Sequence, residues 1–180
     1  MYDEVEMSME VPAPAATQSL DELPDHARIW IYPTDRELTA SDQRMIIDGL
    51  RSFLETWESH GRRVDGAAAI LHARFVVIAA TKADGDMSGC GIDASVHALL
   101  PISEQLGFEF ANPLDVHYRS GAGAIVSVDR LRFAEAVNRG LVDGSTIVYN
   151  PDLTTLGELR TSGLESTARE SWHGRAFGLG

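Results

Sequence analysis

The stretch that decides the fold is GAAAILHARFVVIAAT, residues 66–81, because it is too apolar to lie on the surface of a protein. Its pattern favours two strands, over residues 67–71 and 75–81, with a tight connection between them at residues 72–74. Strands joined by so short a connection pair antiparallel. The stretch therefore predicts a buried antiparallel hairpin.

The sequence before this hairpin predicts one further strand and one long helix. The segment ARIWIYPT contains an apolar run that stops at Pro33, as expected of a strand. The next segment, LTASDQRMIIDGLRSFLETWESHG, carries apolar residues at helical spacing. Thr39 and Asp42 form a capping-box pattern at its start, and Gly61 is placed to end the helix.

The sequence after the hairpin predicts two helices, a second hairpin and a last strand. The first helix runs from about Asp93 to Leu106, contains Pro101 and is closed by Gly107. The segment LDVHYRSGAGAIVSVD predicts a hairpin with SGAG as its turn. RLRFAEAVNRG predicts a helix closed by Gly140, and STIVYNP predicts the last strand.

This order of elements, β-α-β-β-α-β-β-α-β with short connections, predicts an α+β fold. We expect two layers, a mainly antiparallel sheet with helices packed on one face. We assign this single domain to residues 27–180. Residues 1–26 are acidic, contain three prolines and show no sustained periodicity, so we expect a disordered N-terminal extension.

Composition excludes several classes of function. The net charge is −12 over 180 residues, and the first 25 residues carry seven acids and no lysine or arginine. Binding of nucleic acid through a basic face needs clustered lysine and arginine, so we expect no nucleic-acid partner. There is no apolar run of about 18 residues and no secretory signal pattern, so we expect a cytoplasmic protein with no membrane contact. A single cysteine excludes an intrachain disulfide and a multi-cysteine zinc site.

That cysteine, Cys90, lies in the stretch ADGDMSGCGIDASVHALL and is the candidate catalytic residue. A helix N-terminus favours an anion, and a thiolate placed there becomes a better nucleophile because its pKa falls. Gly89 and Gly91 would let the backbone approach a ligand, and Ser88 and Asp93 add a hydroxyl and a carboxylate. The alternative is that Cys90 is a small buried residue in a glycine-rich turn.

Three other readings of this stretch fail on spacing. Asp84, Asp86 and Ser88 match the first positions of a calcium loop, but the twelfth position is Ser95 where a bidentate glutamate is required, so we expect no metal site. A phosphate loop needs a lysine after its glycines, whereas Lys82 precedes them. There is no dinucleotide-binding G-x-G-x-x-G between a strand and a helix. The sequence therefore predicts no cofactor.

Several motifs together resemble those of an uncharacterised bacterial family. Its members commonly read W-I-Y-x-x-x-R-x-[FL]-[ST] near the start, S-G-C-[SG]-I-D-x-S-V in the middle and S-W near the end, and the match runs from Trp30 to Trp172. Members often bear the label "ABC transporter ATPase", which this sequence does not support because it lacks a phosphate loop and L-S-G-G-Q. The resemblance adds His60 and Trp172 to the candidate ligand-binding residues. Gly91 stands where serine is common.

Two kinds of function follow from these observations. The first is a site at residues 88–93 that binds a small anionic ligand or, as an alternative, makes the protein a thiol-dependent enzyme through Cys90. The second is an interaction domain that forms a homodimer through a sheet edge or an exposed sheet face. We favour ligand binding or interaction without catalysis, because the sequence shows no partner for a single thiol. Trp172 fits a lid, a docking residue or plain terminal packing.

Overall fold

The computed structural model describes residues 19–59, 61–82 and 89–180, and for residues 89–92 it describes the backbone alone. The strands are β1 (Arg28–Pro33), β2 (Glu58–Ser59), β3 (Arg62–Arg63), β4 (Asp65–Leu71), β5 (Phe75–Thr81), β6 (Val116–Arg119), β7 (Ile125–Val128), β8 (Ile147–Tyr149) and β9 (Glu165–Thr167). The α-helices are α1 (Ala40–Thr56), α2 (Gly89–Leu106), α3 (Arg130–Asn138), α4 (Leu156–Ser162) and α5 (Trp172–Phe177).

A three-stranded antiparallel sheet in the order β1-β5-β4 forms the first half of the fold. The central strand, β5, is buried from Phe75 to Ala80, and Val77 lies opposite Ile31 on one side and Ala69 on the other. The predicted hairpin of residues 66–81 is confirmed, and with it the α+β class and its antiparallel pairing.

Both faces of this sheet are covered, because successive side chains of β5 point to opposite sides. Val76 and Ile78 pack against α1 and α2 in one cluster. Val77 and Ala79 pack in a second cluster that includes Leu156 of α4. A single layer of helices on one face is therefore not confirmed. An exposed sheet face, one of the two surfaces from which we expected a homodimer, is absent from this sheet.

A second antiparallel sheet, in the order β7-β6-β8-β9, forms the other half. One of its faces packs against α3 and α5, with Val116 and Phe133 at the centre of that cluster. The other face meets the end of the β4–β5 hairpin, where Phe75, Tyr149 and Leu164 form a small buried cluster. We call this meeting place the junction, and it positions the candidate site.

The capping box of α1 is confirmed, but the helix ends earlier than the sequence predicts. Thr39 Oγ1 accepts from Asp42 N at 3.1 Å, and the Asp42 carboxylate accepts from Thr39 N at 2.9 Å. The helix stops at Thr56, and residues 58–59 and 62–63 pair as the short strands β2 and β3. Gly61, with a φ of +70°, lies in the turn between them and does not end the helix.

Helix α2 begins earlier than predicted. In addition, further helices and a strand follow β8, which was predicted to be the last element. The helix starts at Gly89, so Asp93 lies inside it, and Gly107, with a φ of +64°, follows its last residue as predicted. Pro101 lies within the helix. The helix predicted up to Gly140 is α3, and α4, β9 and α5 follow β8, which the sequence did not indicate.

Part of the predicted extension packs against the domain. Leu23 is 3% exposed and joins the cluster under α4. Arg160 of α4 donates to the carbonyl oxygens of Leu20 and Leu23 and to the Asp25 carboxylate. Residues 1–18 lie outside the described chain. Among the described residues, no helix is both long and apolar enough to cross a membrane.

Candidate functional site

A cavity of about 320 Å³ opens beside the junction. Three connections form its walls: the loop between β1 and α1, the turn between β4 and β5, and the end of the β6–β7 hairpin. The lining residues are Glu37, His72, Arg74, Arg119, Gly123, Ala124 and Ile125. Its volume is at the small end of the range for ligand sites.

The β4–β5 turn carries an unusual backbone for its sequence. His72 and Ala73 have φ values of +50° and +51°, a left-handed conformation that glycine and asparagine adopt more readily. Backbone hydrogen bonds hold the turn: Arg74 N donates to Leu71 O at 3.0 Å, and Leu38 N donates to Ala73 O at 2.8 Å. The turn places both His72 and Arg74 in the cavity wall.

Arg74 is a buried cation that lacks a full set of partners. The residue is 7% exposed, and its Nη2 donates to Ser127 Oγ at 3.1 Å. Its Nε is buried without a hydrogen-bond acceptor, and no ion pair links it to a carboxylate in the described part of the chain. Burial lowers the pKa of Arg74, and the charges of Asp35 and Glu37 oppose that shift.

Ser127 connects Arg74 to His117, which is 1% exposed. Ser127 Oγ lies 2.8 Å from His117 Nδ1. Burial, followed by the charge of Arg74, lowers the pKa of His117 to about 4, so the ring is neutral at pH 7. Ser127 Oγ thus accepts from Arg74 and shares a hydrogen bond with His117 Nδ1. His117 Nε2 is buried and has no hydrogen-bond partner among the described residues.

Arg119, unlike Arg74, forms an ion pair with a carboxylate. It donates to the Tyr149 hydroxyl at 2.7 Å through Nη2 and to Glu165 at 3.2 Å, and hydrogen bonding to Tyr149 raises its pKa. Tyr149 is 1% exposed, and burial raises its pKa. His72 Nε2 lies 3.7 Å from the same Glu165 carboxylate, and the His72 ring packs edge-on against Tyr149.

The chemistry that this arrangement supports is anion recognition. A guanidinium presents N–H donors in a fixed fork that fits a carboxylate or a phosphate. A buried cation without an ion-pair partner is costly, and an anion entering the cavity would offset that cost at Arg74.

The residues that the sequence proposed lie elsewhere or outside the described chain. Ser88 and His60 fall outside the described residues, and the side chains of Cys90 and its neighbours are not described. The backbone places Gly89, Cys90 and Gly91 in the first turn of α2. Asp93 is exposed and is the fifth residue of that helix, so it is not the N-cap.

The motif residues that the structure does describe make structural contacts. The Tyr32 hydroxyl lies 2.8 Å from Ser95 Oγ, and this hydrogen bond links β1 to α2. Arg36 donates to Asp42 at 2.8 Å and to Leu106 O at 2.9 Å, so it links the start of α1 to the end of α2. The hydrogen bond from Arg36 is the main reason that the pKa of Asp42 is lowered.

Trp172 is half-buried at the start of α5. Its ring stacks on His173 at 3.8 Å, and the Arg130 guanidinium lies over it at 5.3 Å. It packs against the cluster between α3, α5 and the second sheet. It does not line the cavity beside the junction.

A second cavity, of about 520 Å³, lies at the end of α2. Its lining includes three carboxylates, those of Asp35, Glu104 and Glu109, and the rings of Phe108 and Phe110. Its negative charge is unsuited to an anion. The described residues contain no cluster of histidine, cysteine, aspartate or glutamate that could hold a metal ion.

Comparisons with protein-family models, with curated proteins and with solved structures each give no match. The resemblance carried by the W-I-Y and S-G-C motifs therefore stays a prediction.

Sequence reasoning missed Arg74, Arg119 and Ser127. One signal was present: Arg74 is a charged residue directly before the apolar run of β5, in a connection too short to carry it away from the sheet.

Proposed function

We propose that this protein binds a small organic anion, a carboxylate or a phosphate, in the cavity beside the junction. The observation that carries the proposal is Arg74, a 7% exposed arginine in the cavity wall that forms no ion pair with a carboxylate among the described residues. The anion-binding hypothesis drawn from the sequence is thereby kept, but the binding residues are new.

The energetic argument rests on the difference between the empty and the occupied cavity. Without ligand, the guanidinium is desolvated and forms one hydrogen bond within the described part of the chain, to Ser127. An anion supplies both the opposite charge and acceptors for the N–H groups that remain. Arg119, which is already matched by Glu165, adds donors without adding an unmatched charge.

The experiment is calorimetric titration of the protein with sodium acetate and sodium phosphate at pH 7. We expect at least one anion to bind, and Arg74→Met to weaken that binding about 30-fold or more, as expected when one partner of a buried charge pair is removed. Arg44→Gln is the matched control, because Arg44 is an exposed arginine on α1 that does not line the cavity.

A stability measurement on the same variant separates binding from folding. Replacing an unmatched buried cation with an apolar side chain of similar length is neutral or stabilising, so the free energy of unfolding of Arg74→Met should lie no more than about 1 kcal/mol below that of the wild type. Equal anion affinity in the wild type and Arg74→Met would overturn the proposal, as would a lack of binding by both anions.

A further inference from the structure

We infer that the ligand is a zwitterion, an α-amino acid with a small apolar side chain, whose carboxylate is received by Arg74 and whose ammonium group is received by Glu37. The inference rests on the proposed function and goes further by naming the ligand class. The observation behind it is that one cavity carries an arginine and a glutamate that form an ion pair neither with each other nor with another described residue.

The unmatched negative charge is that of Glu37. Its side chain is exposed and lines the cavity. Within the described chain it forms no ion pair, and its carboxylate accepts no hydrogen bond; only its backbone oxygen does, from Arg36 at 3.1 Å. Asp35, the other carboxylate that acts on the Arg74 charge, is engaged by Glu109 N at 2.9 Å and does not line this cavity.

Glu37 and Arg74 line the same space but do not pair. The Arg74 guanidinium instead donates to Ser127 Oγ at 3.1 Å. The charges of Arg74 and Glu37 act on each other without forming an ion pair, so a ligand with both charges can bind between them.

The other arginine of the wall already has an ion-pair partner. Arg119 is paired with Glu165, and His72 Nε2 faces the same carboxylate at 3.7 Å. Arg74 and Glu37 are the lining residues whose charges form no ion pair in the described part of the chain. A ligand of net charge zero with one cationic and one anionic group matches both, whereas a simple anion matches only Arg74.

The rest of the wall limits the size of the ligand. Gly123, Ala124 and Ile125 give the β6–β7 side of the cavity a small apolar surface. A volume of about 320 Å³ accommodates an amino acid with a short aliphatic side chain.

The test uses three matched compounds that differ in one charged group. L-Valine carries both charges, 3-methylbutanoate lacks the ammonium group, and 2-methylpropan-1-amine lacks the carboxylate. Calorimetric titration of the wild type at pH 7 should give the tightest binding for valine, about fivefold tighter than 3-methylbutanoate, which is the upper end for an exposed charge pair. The amine should bind weakest.

Two variants and a control show which cavity residue binds which charged group of the ligand. Glu37→Gln should weaken valine binding about fivefold and leave 3-methylbutanoate binding unchanged or tighter, because only the ammonium group needs the carboxylate. Glu55→Gln removes an acidic charge from an exposed position on α1 and should change neither affinity. Arg74→Met should weaken both compounds.

The outcomes separate this inference from the proposed function. If valine and 3-methylbutanoate bind equally to the wild type, and both depend on Arg74, the zwitterion is wrong and the anion site stands. The same holds if neither compound binds while acetate or phosphate binds through Arg74. If no anion binds at all, both proposals fall.

Discussion

The middle of β5 and the start of β5 are both buried, but they lie in very different surroundings. Along the middle of the strand, Val76 to Ala80 pack against apolar side chains on both sides of the sheet. At its start, the strand meets the second sheet at the junction, where buried polar residues surround Phe75. These are Arg74, His117 and Tyr149, and the half-buried Ser127 forms hydrogen bonds with the first two.

The difference shows which region stabilises the fold and which can act on a ligand. Burial of apolar side chains in the sheet core is favourable throughout. The buried polar atoms in and around it that have no hydrogen-bond partner among the described residues belong to Arg28, Trp30, Arg51, Trp57 and Ser59, and none of these residues lines the cavity. At the junction, Arg74 Nε and His117 Nε2 likewise have no partner in the described part of the chain, and Arg74 does line the cavity. Each such group reduces stability, so the junction is a place where the fold carries a cost that a bound ligand could offset.

The largest expected effect lies in the sheet core. Leu50 of α1 is 0% exposed and packs against β5, so Leu50→Ala should lower the free energy of unfolding by about 3 kcal/mol, within the range of such truncations. Urea denaturation measures this change. Anion affinity of the folded protein should not change, because Leu50 does not line the cavity.

Leu131→Ala is the matched control, because it makes the same chemical change at a position that is 79% exposed. Its effect on stability should be below about 0.5 kcal/mol. Similar losses for Leu50→Ala and Leu131→Ala would contradict the assignment of the sheet core as the stabilising region.

The second effect is a pH dependence that originates at the junction. The pKa of His117 is lowered from 6.5 to about 4 by burial. Below pH 6.5 the unfolded chain therefore binds a proton at this histidine, whereas the folded protein binds it only near pH 4. The free energy of unfolding falls across that window as the pH falls. Between pH 6.5 and 5 this amounts to about 1.5 kcal/mol for one histidine.

His117→Gln should remove that part of the pH dependence, measured by urea denaturation at several pH values between 6.5 and 5. His173, whose pKa burial also lowers to about 4, should keep its own contribution in the variant. His97→Gln, an exposed change on α2, serves as the control and should leave the slope as it is. An unchanged slope in His117→Gln would show that His117 is not held neutral by the fold.

The sheet core could be predicted from the sequence because its signals are local. The hairpin of residues 66–81 is a continuous apolar stretch, and the capping box of Thr39 and Asp42 spans four residues. The glycines that follow α2 and α3, with φ values of +64° and +67°, could be predicted for the same reason. The end of α1 was not, because the apolar residue Trp57 continues the helical spacing while it packs in the core beyond the helix end.

The junction could not be predicted, because its residues meet only when the two sheets pack. Arg74 and Ser127 are 53 residues apart in the chain, and Tyr149 comes from a third segment. No spacing rule connects them. Cys90 attracted attention in the sequence because its glycine neighbours, a helix start and several acids lie within one short stretch, and proximity in sequence is what sequence reasoning detects best.

The smallest expected effect is at Cys90, and it decides between the region that the sequence singled out and the junction. None of the described residues that line the cavity comes from α2, so Cys90→Ala should change the affinity for the anion that the wild type binds by less than about twofold, that is, by less than about 0.4 kcal/mol. Arg74→Met, titrated in the same series, should weaken it about 30-fold or more. If Cys90→Ala weakened binding tenfold and Arg74→Met did not, the anion site would lie at the start of α2, and the thiol would become the group to follow. The pH at which native Cys90 reacts with iodoacetamide would then be the next measurement, because a thiolate that forms well below pH 8.5 is the condition for nucleophilic catalysis there.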